Sequence, residues 1–270
     1  MGKNREAAPI PLLDIVENLE RSFPPDLAES WDNVGLQTGR RERKIRNVLI
    51  SLDVVSEVLE EARTLSADLL LTHHPLIFHP ISSVDEDKPQ GRLLADLIRK
   101  KIALYSLHTN LDSAPGGLND FLASLLDLRD IRPLCESPRN PLAGLGRIGK
   151  LGSGMTVKEL MGKLGGKLGL REMSCPAFPD TNVRVLALCT GSGGRLVEFA
   201  VAQGADAFLT GEIGYHEALL ARESGLAVLA CGHFQTERIS IDLLAAHLEA
   251  AFPGLLVFRS QVESDPFVRV

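Results

Sequence analysis

The chain has 270 residues and is short of cysteine, positive charge and long apolar runs. Each shortage excludes something. Its four cysteines, Cys135, Cys175, Cys189 and Cys231, are scattered with no C-x-x-C spacing. They read as small buried residues or thiols of a reducing cytoplasm, not as a disulfide frame. No stretch approaches the roughly 20 apolar residues that cross a bilayer. The opening MGKNREAAPIP has no apolar core for a targeting signal, and Glu6 stands where a myristoylation signal needs Ser or Thr. The expectation is a soluble, cytoplasmic protein without a membrane partner. Lys and Arg number 29 against 35 Asp and Glu, for a net charge of −6. The short basic run GRRERKIR (39–46) reads as a solvated loop, so nucleic acid is not the expected partner.

What remains is ordinary for a globular protein: 44% hydrophobic and 24% charged residues, with length for one large domain or two modest ones. Strands are expected at NVLISLD (47–53), DLLLT (68–72), IALYSL (102–107), VRVLALC (183–189), AFLT (207–210) and AVLAC (227–231). Between them lie stretches with apolar positions three and four apart: 54–65, 91–101, 195–203 and 214–223. Strand and helix alternating in this way predict an α/β fold with mixed sheets covered by helices. SVDEDKPQG (83–91) reads as an exposed loop. DLRDIRPLCESPRNP (127–141) reads as the junction between two halves, 1–130 and 131–270, with the C-terminal part packing back on the first.

The halves repeat. VLISLDVVSEVLEEARTLSADLLLTHHP and VLALCTGSGGRLVEFAVAQGADAFLTGEI run strand, turn, helix, Ala-Asp, strand, and place Thr72 and Thr210 alike. The next strand leads into HTNLD (108–112) in one half and HFQTE (233–237) in the other, so His-x-x-x-carboxylate recurs at the corresponding point. Ligands of open α/β sheets bind at the carboxyl ends of strands, and there the chain collects His73, His74, His108, Asp112, His233 and Glu237. Imidazole with carboxylate and no thiolate suits borderline divalent ions such as zinc, iron, manganese, cobalt or nickel. The set exceeds one tetrahedral ion and fits a two-metal centre. Adjacent residues of an extended segment point apart, so His73 and His74 are expected to serve one ion each. His233 and Glu237 lie one turn apart on one face if the helix starts early. Thr236 reads as a cap for the helix that follows. Glu212 and His216 either support the site or cap the helix at 214–224. His79 and His247 read as structural or exposed. No nucleophile elbow or Walker loop occurs, and LGSGMT (151–156) and TGSGGR (190–195) read as strand-to-helix turns.

WDNVGLQTG (31–39), LLLTHHPLIF (69–78), YSLHTNLDSAPGGLND (105–120), TGEIGYHEAL (210–219) and ACGHFQTE (230–237) resemble, in order, the signature blocks of the Nif-three-like family of dinuclear-metal-centre proteins. Members are often labelled GTP cyclohydrolase I type 2 homologues. The resemblance implies two similar, intertwined α/β halves and commonly a hexameric ring. It implies metal ligands His73, His74, Asp112, His233 and Glu237, with Glu237 between two ions and His108 a ligand or proton carrier. The space between Asp112 and Thr210 is too short for the domain some members insert there. Phe234-Gln235 stand where relatives often have Tyr and a small residue. WDNVGLQTG has no independent chemical reading. The expected function is a metal-dependent hydrolase for a nucleotide or related small molecule, with two divalent ions (zinc, iron or manganese) and with His108 or His216 moving protons. A cyclohydrolase-type opening of GTP fits that expectation. The alternative is a non-enzymatic protein that delivers or senses metal or scaffolds a partner.

Overall fold

The run NVLIS forms a strand at Asn47–Ser51, and LLLT forms one at Leu69–Thr72 in which every residue is buried. Such continuous apolar strands need cover on both faces, which parallel sheets have. The computed structural model describes residues 8–138, 140–170, 174, 178 and 180–267; Glu6 and Cys175 lie outside the described residues. It is a mixed α/β fold in two compact units: the chain to Leu111 with Ser240–Ser264, and Asp112–Ile239 with the chain from Asp265.

In the first unit the sheet runs, edge to edge, Leu256–Arg259, Asn47–Ser51, Leu69–Thr72, Ala103–Ser106 and Gly35–Thr38. The first four strands are parallel and the last is antiparallel. On one face Leu49, Leu70 and Leu104 pack against Val58, Leu59 and Ala62 of helix Ser56–Thr64 and Leu97 of helix Pro89–Lys100. That second helix starts inside the expected 83–91 loop, because a proline at its first turn is already set for helix and has no N–H to leave unbonded. Helix Leu12–Ser22 reaches this sheet through Glu20, which accepts from the Tyr105 hydroxyl at 3.2 Å. Helix Ser240–Ala251 is tied to helix Leu12–Ser22 through His247, which shares a hydrogen bond with Asn18 at 2.8 Å. His247 is structural, as expected, and His79 is exposed.

In the second unit the parallel strands Ala227–Ala230, Ala207–Glu212 and Asn182–Ser192 are followed by the antiparallel Asn140–Thr156 and Arg129–Ser137. Alternation sorts Leu186, Leu188, Leu209 and Leu229 to the face covered by Leu122, Val157, Leu160 and Leu164. It sorts Ala187, Cys189, Phe208 and Val228 to the face covered by Leu196, Val197, Ala200 and Ala221. The expected 127–141 junction is instead mostly strand, and LGSGMT ends the long strand Asn140–Thr156 before helix Val157–Leu168. Thr156 and Glu159 form a capping box there, each satisfying the other's backbone N–H.

The repeat holds at the level of single hydrogen bonds. The aspartate of each Ala-Asp accepts from two successive backbone N–H groups at the start of the neighbouring strand. Asp68 takes those of Arg46 (2.9 Å) and Asn47 (3.1 Å), and Asp206 those of Arg184 and Val185, both 2.8 Å. Each threonine closes a turn two residues on, Thr72 to the His74 carbonyl at 2.8 Å and Thr210 to the Glu212 carbonyl at 3.3 Å. Both turns face the carboxyl ends of parallel strands, where the chemistry-bearing side chains stand.

Candidate metal centre

In the first unit the strand stops at Thr72. Because Thr72 bonds the His74 carbonyl, His73 and His74 sit in a bend and not on extended chain. Their rings therefore do not point apart: the centroids are 5.0 Å from each other, and 5.2 and 5.4 Å from His108. One ligating atom from each of the three residues lies within 4.8 Å of the other two. His73 is buried, whereas His74 and His108 are partly exposed.

Each ring is fixed by its Nδ1. His73 Nδ1 lies 2.8 Å from the Leu107 carbonyl oxygen, which can only accept, so the proton is on Nδ1 and Nε2 is the basic nitrogen. His74 Nδ1 lies 2.9 Å from Asp53 Oδ1, and His108 Nδ1 lies 2.8 Å from Asp32 Oδ1. An oxygen acceptor behind an imidazole sets its tautomer and ring orientation, the usual support of a metal-binding histidine. The two aspartates are supported in turn. Glu263 accepts from the backbone N–H of Leu52 (3.0 Å) and Asp53 (2.8 Å), which pins the turn that carries Asp53. The Asp32 side chain is fully buried and also accepts from the Thr109 backbone (3.0 Å) and hydroxyl (2.5 Å). Burial alone raises a carboxyl, but the bonds and charge from His108 and the two bonds from Thr109 outweigh it and hold Asp32 at about 2. It is therefore ionised at neutral pH behind His108.

In the second unit Gly232 takes a φ of 91° and lets helix His233–Glu237 begin at once. His233 and Glu237 are thus one turn apart, and His233 Nε2 meets Glu237 Oε2 at 2.9 Å while its Nδ1 meets Glu212 Oε2 at 3.2 Å. Glu237 is buried. Thr236 does not cap the next helix. It lies inside this short one, donates to the Gly232 carbonyl and accepts from the Gly191 N–H, both at 3.0 Å. Gly191 is the floor of the cluster: a Cβ there falls 1.9 Å from Glu237 Oε1 and 3.4 Å from His233 Nε2.

Asp112 is also buried in this unit, with the Thr190 hydroxyl 3.4 Å from its Oδ1. Its backbone is held by Asn119, whose amide donates to the Asp112 carbonyl (3.0 Å) and accepts from the Thr190 N–H (2.9 Å). The neighbouring Ser113 and Ala114 carbonyls both accept from Arg147, at 3.3 and 2.9 Å. Cys189 is buried close by. Burial, with the negative charges of Asp112 and Glu237, pushes its thiol far up, so it is no nucleophile. His216 is exposed on the first turn of helix Tyr215–Glu223, its ring edge-on to Tyr215; the described contacts do not bring it to His233.

Sequence reasoning missed Asp32, Asp53, Asn119, Arg147 and Gly191. Asp32 and Asn119 carried a signal, through their places in WDNVGLQTG and YSLHTNLDSAPGGLND. The donors present, imidazole nitrogens backed by oxygen acceptors and carboxylates from buried positions, fit a borderline divalent ion. The structure thus contains histidine and glutamate groups that could hold metal. Among the described residues, no helix is long and apolar enough to cross a membrane.

The chain is similar to known proteins along nearly its whole length. The model of the family described as Duf34/NIF3 (NGG1p interacting factor 3) matches residues 11–266. A Streptomyces coelicolor protein named GTP cyclohydrolase 1 type 2 homolog is 38% identical over 268 residues, 95% of this chain and 93% of that protein. A Clostridium perfringens protein of the same name is 38% identical over 226 residues, 84% of this chain and 86% of that one. The crystal structure of a Staphylococcus aureus hypothetical protein superposes with a TM-score of 0.91 at 28% identity, over 97% of this chain and 100% of that chain. Matched in sequence from residue 11 to 266 and in fold over nearly its whole length, the chain belongs to the Duf34/NIF3 family.

Proposed function

We propose that the chain is a metal-dependent hydrolase acting on a nucleotide or related small molecule, with two divalent ions held by His73, His74, Asp112, His233 and Glu237. The observation that carries this reading is the anchoring of His73, His74 and His108 through Nδ1, with one ligating atom of each residue within 4.8 Å of the other two. The second cluster supports it with a buried carboxylate, Glu237, against His233. A bound divalent ion supplies Lewis-acid polarisation of the electrophile and a more acidic water. His108 receives or returns the proton, because Asp32 behind it stabilises the imidazolium that forms. His216, exposed and with its ring against Tyr215, is the weaker choice for that role. The name of the relatives supports a GTP-like nucleotide and a cyclohydrolase-type ring opening. The same reading has the chain work in the cytoplasm as a homo-oligomer, a hexamer by resemblance.

Metal-loaded protein is expected to turn over at least one nucleoside triphosphate in a screen followed by phosphate release and by loss of purine absorbance. His108→Gln is expected to lower kcat by about 10²–10⁴-fold with metal content retained. Fully loaded protein that turns over no nucleotide contradicts the hydrolase and leaves a metal-binding protein without catalysis.

A further inference from the structure

The first unit exposes two large rings beside His108. Trp31 is 48% exposed and Phe78 36% exposed, and their centroids lie 5.6 Å apart with the planes tilted 53°. Trp31 is 6.0 Å from the His108 ring and Phe78 is 6.1 Å from it. A single exposed aromatic is common on a protein surface, but two packed together beside His108 form a continuous exposed ring surface.

The pair is held in place by polar groups. Asn33 donates to the Ile77 carbonyl at 2.5 Å, and Gln37 accepts from the Ile77 N–H at 2.7 Å. Gln37 also donates back to the Asn33 carbonyl at 2.7 Å. The residues after Trp31 are thus bonded to the residue before Phe78, while Asp32 is clamped to His108 and Thr109. WDNVGLQTG therefore spends its Asp, Asn and Gln on fixing Trp31 next to Phe78 and His108. Rings pre-positioned in this way lose little freedom when a ligand docks on them.

We propose that Trp31 and Phe78 are the stacking platform for the flat heteroaromatic ring of the substrate, a nucleobase or similar bicycle, and so determine its class. The inference rests on the hydrolase reading above and deepens it. Flat bases stack on aromatic faces with little regard to their edge groups, which makes such a platform selective for ring against sugar or phosphate. Beside His108, the platform places a stacked ring next to the group assigned to move protons.

The chain has one tryptophan, so Trp31 is its own reporter. Titration of the metal-loaded protein with adenosine, guanosine and ribose 5-phosphate, read by tryptophan fluorescence, tests the proposal. Both nucleosides are expected to quench to saturation, and ribose 5-phosphate to leave the signal unchanged. Phe78→Leu is expected to weaken nucleoside binding about 10-fold, the scale of one lost stacking face. Trp31→Ala, followed by calorimetry, is expected to weaken it at least as much, and Trp31→Phe to retain most of it. Metal content is expected to be unchanged in all three. Absence of quenching, equal quenching by ribose 5-phosphate, or full affinity in Phe78→Leu and Trp31→Ala overturns the platform. Turnover unaffected by Phe78→Leu and Trp31→Ala overturns the platform alone. Nucleoside quenching in a protein that takes up no metal overturns the hydrolase and leaves the platform standing.

Discussion

Arg147→Met is expected to lower stability by about 3 kcal/mol, the cost of removing one partner from a buried ion pair whose other hydrogen bonds also end. The Arg147 side chain is 1% exposed. Its Nε and Nη2 grip Asp120 at 2.7 and 3.0 Å, and Nη1 reaches the Gly144 and Gly146 carbonyls at 2.7 and 2.8 Å. Nη2 also holds the Ser113 and Ala114 carbonyls, immediately after Asp112. Methionine fills much of the volume and satisfies none of these acceptors. Thermal unfolding is expected to shift down by about 6–12 °C for a unit of this size. Asp120→Asn is expected to cost less, since the Asp120 side chain is 24% exposed and water can replace part of its pairing. A loss below about 1 kcal/mol in Arg147→Met contradicts the role given to it.

Gly191→Ala separates site from stability. The residue has a φ of 59°, where an alanine costs about 1 kcal/mol. Its new Cβ is expected to displace the Glu237 carboxylate, which lies 1.9 Å from that position at the end of a side chain able to swing away. The collision is therefore relieved cheaply, at the expense of the Glu237–His233 pairing. Metal affinity, measured by competition with a chelating dye, is expected to fall about 10–100-fold, the usual scale for disturbing support of a ligand. The unfolding midpoint is expected to fall only by about 2–4 °C. Unchanged affinity with the same small loss of stability contradicts the placement of Glu237 in the metal site.

Sequence pattern was most informative where burial is uniform. LLLT, IALYSL and VLALC are apolar because parallel strands are covered on both faces, and all three are strands. The antiparallel pair Arg129–Ser137 and Asn140–Thr156 was hidden. The longer strand carries Gly144, Gly146, Gly149, Gly152 and Gly154, which erase alternation and imitate turns. Gly146 is there for a reason no periodicity shows: its φ is 63° and a Cβ falls 2.7 Å from the Leu188 carbonyl oxygen. At the site, tandem histidines and the repeated His-x-x-x-carboxylate were legible because they follow strand ends. Their supports were not, because Asp32 meets His108 across 76 residues and Asp53 meets His74 across 21. The bend that brings His73 and His74 together depends on one threonine hydroxyl, which strand geometry alone does not reveal.

The most direct test of the account is metal content per chain by elemental analysis, on untagged protein prepared without chelators, beside the double variant His73→Ala/Glu237→Ala. The account predicts about two transition-metal ions per native chain, as a two-metal hydrolase requires, and loss of bound metal in the variant. Native protein that holds no metal and takes up none of zinc, manganese or iron contradicts it, and would make the histidines after LLLT structural.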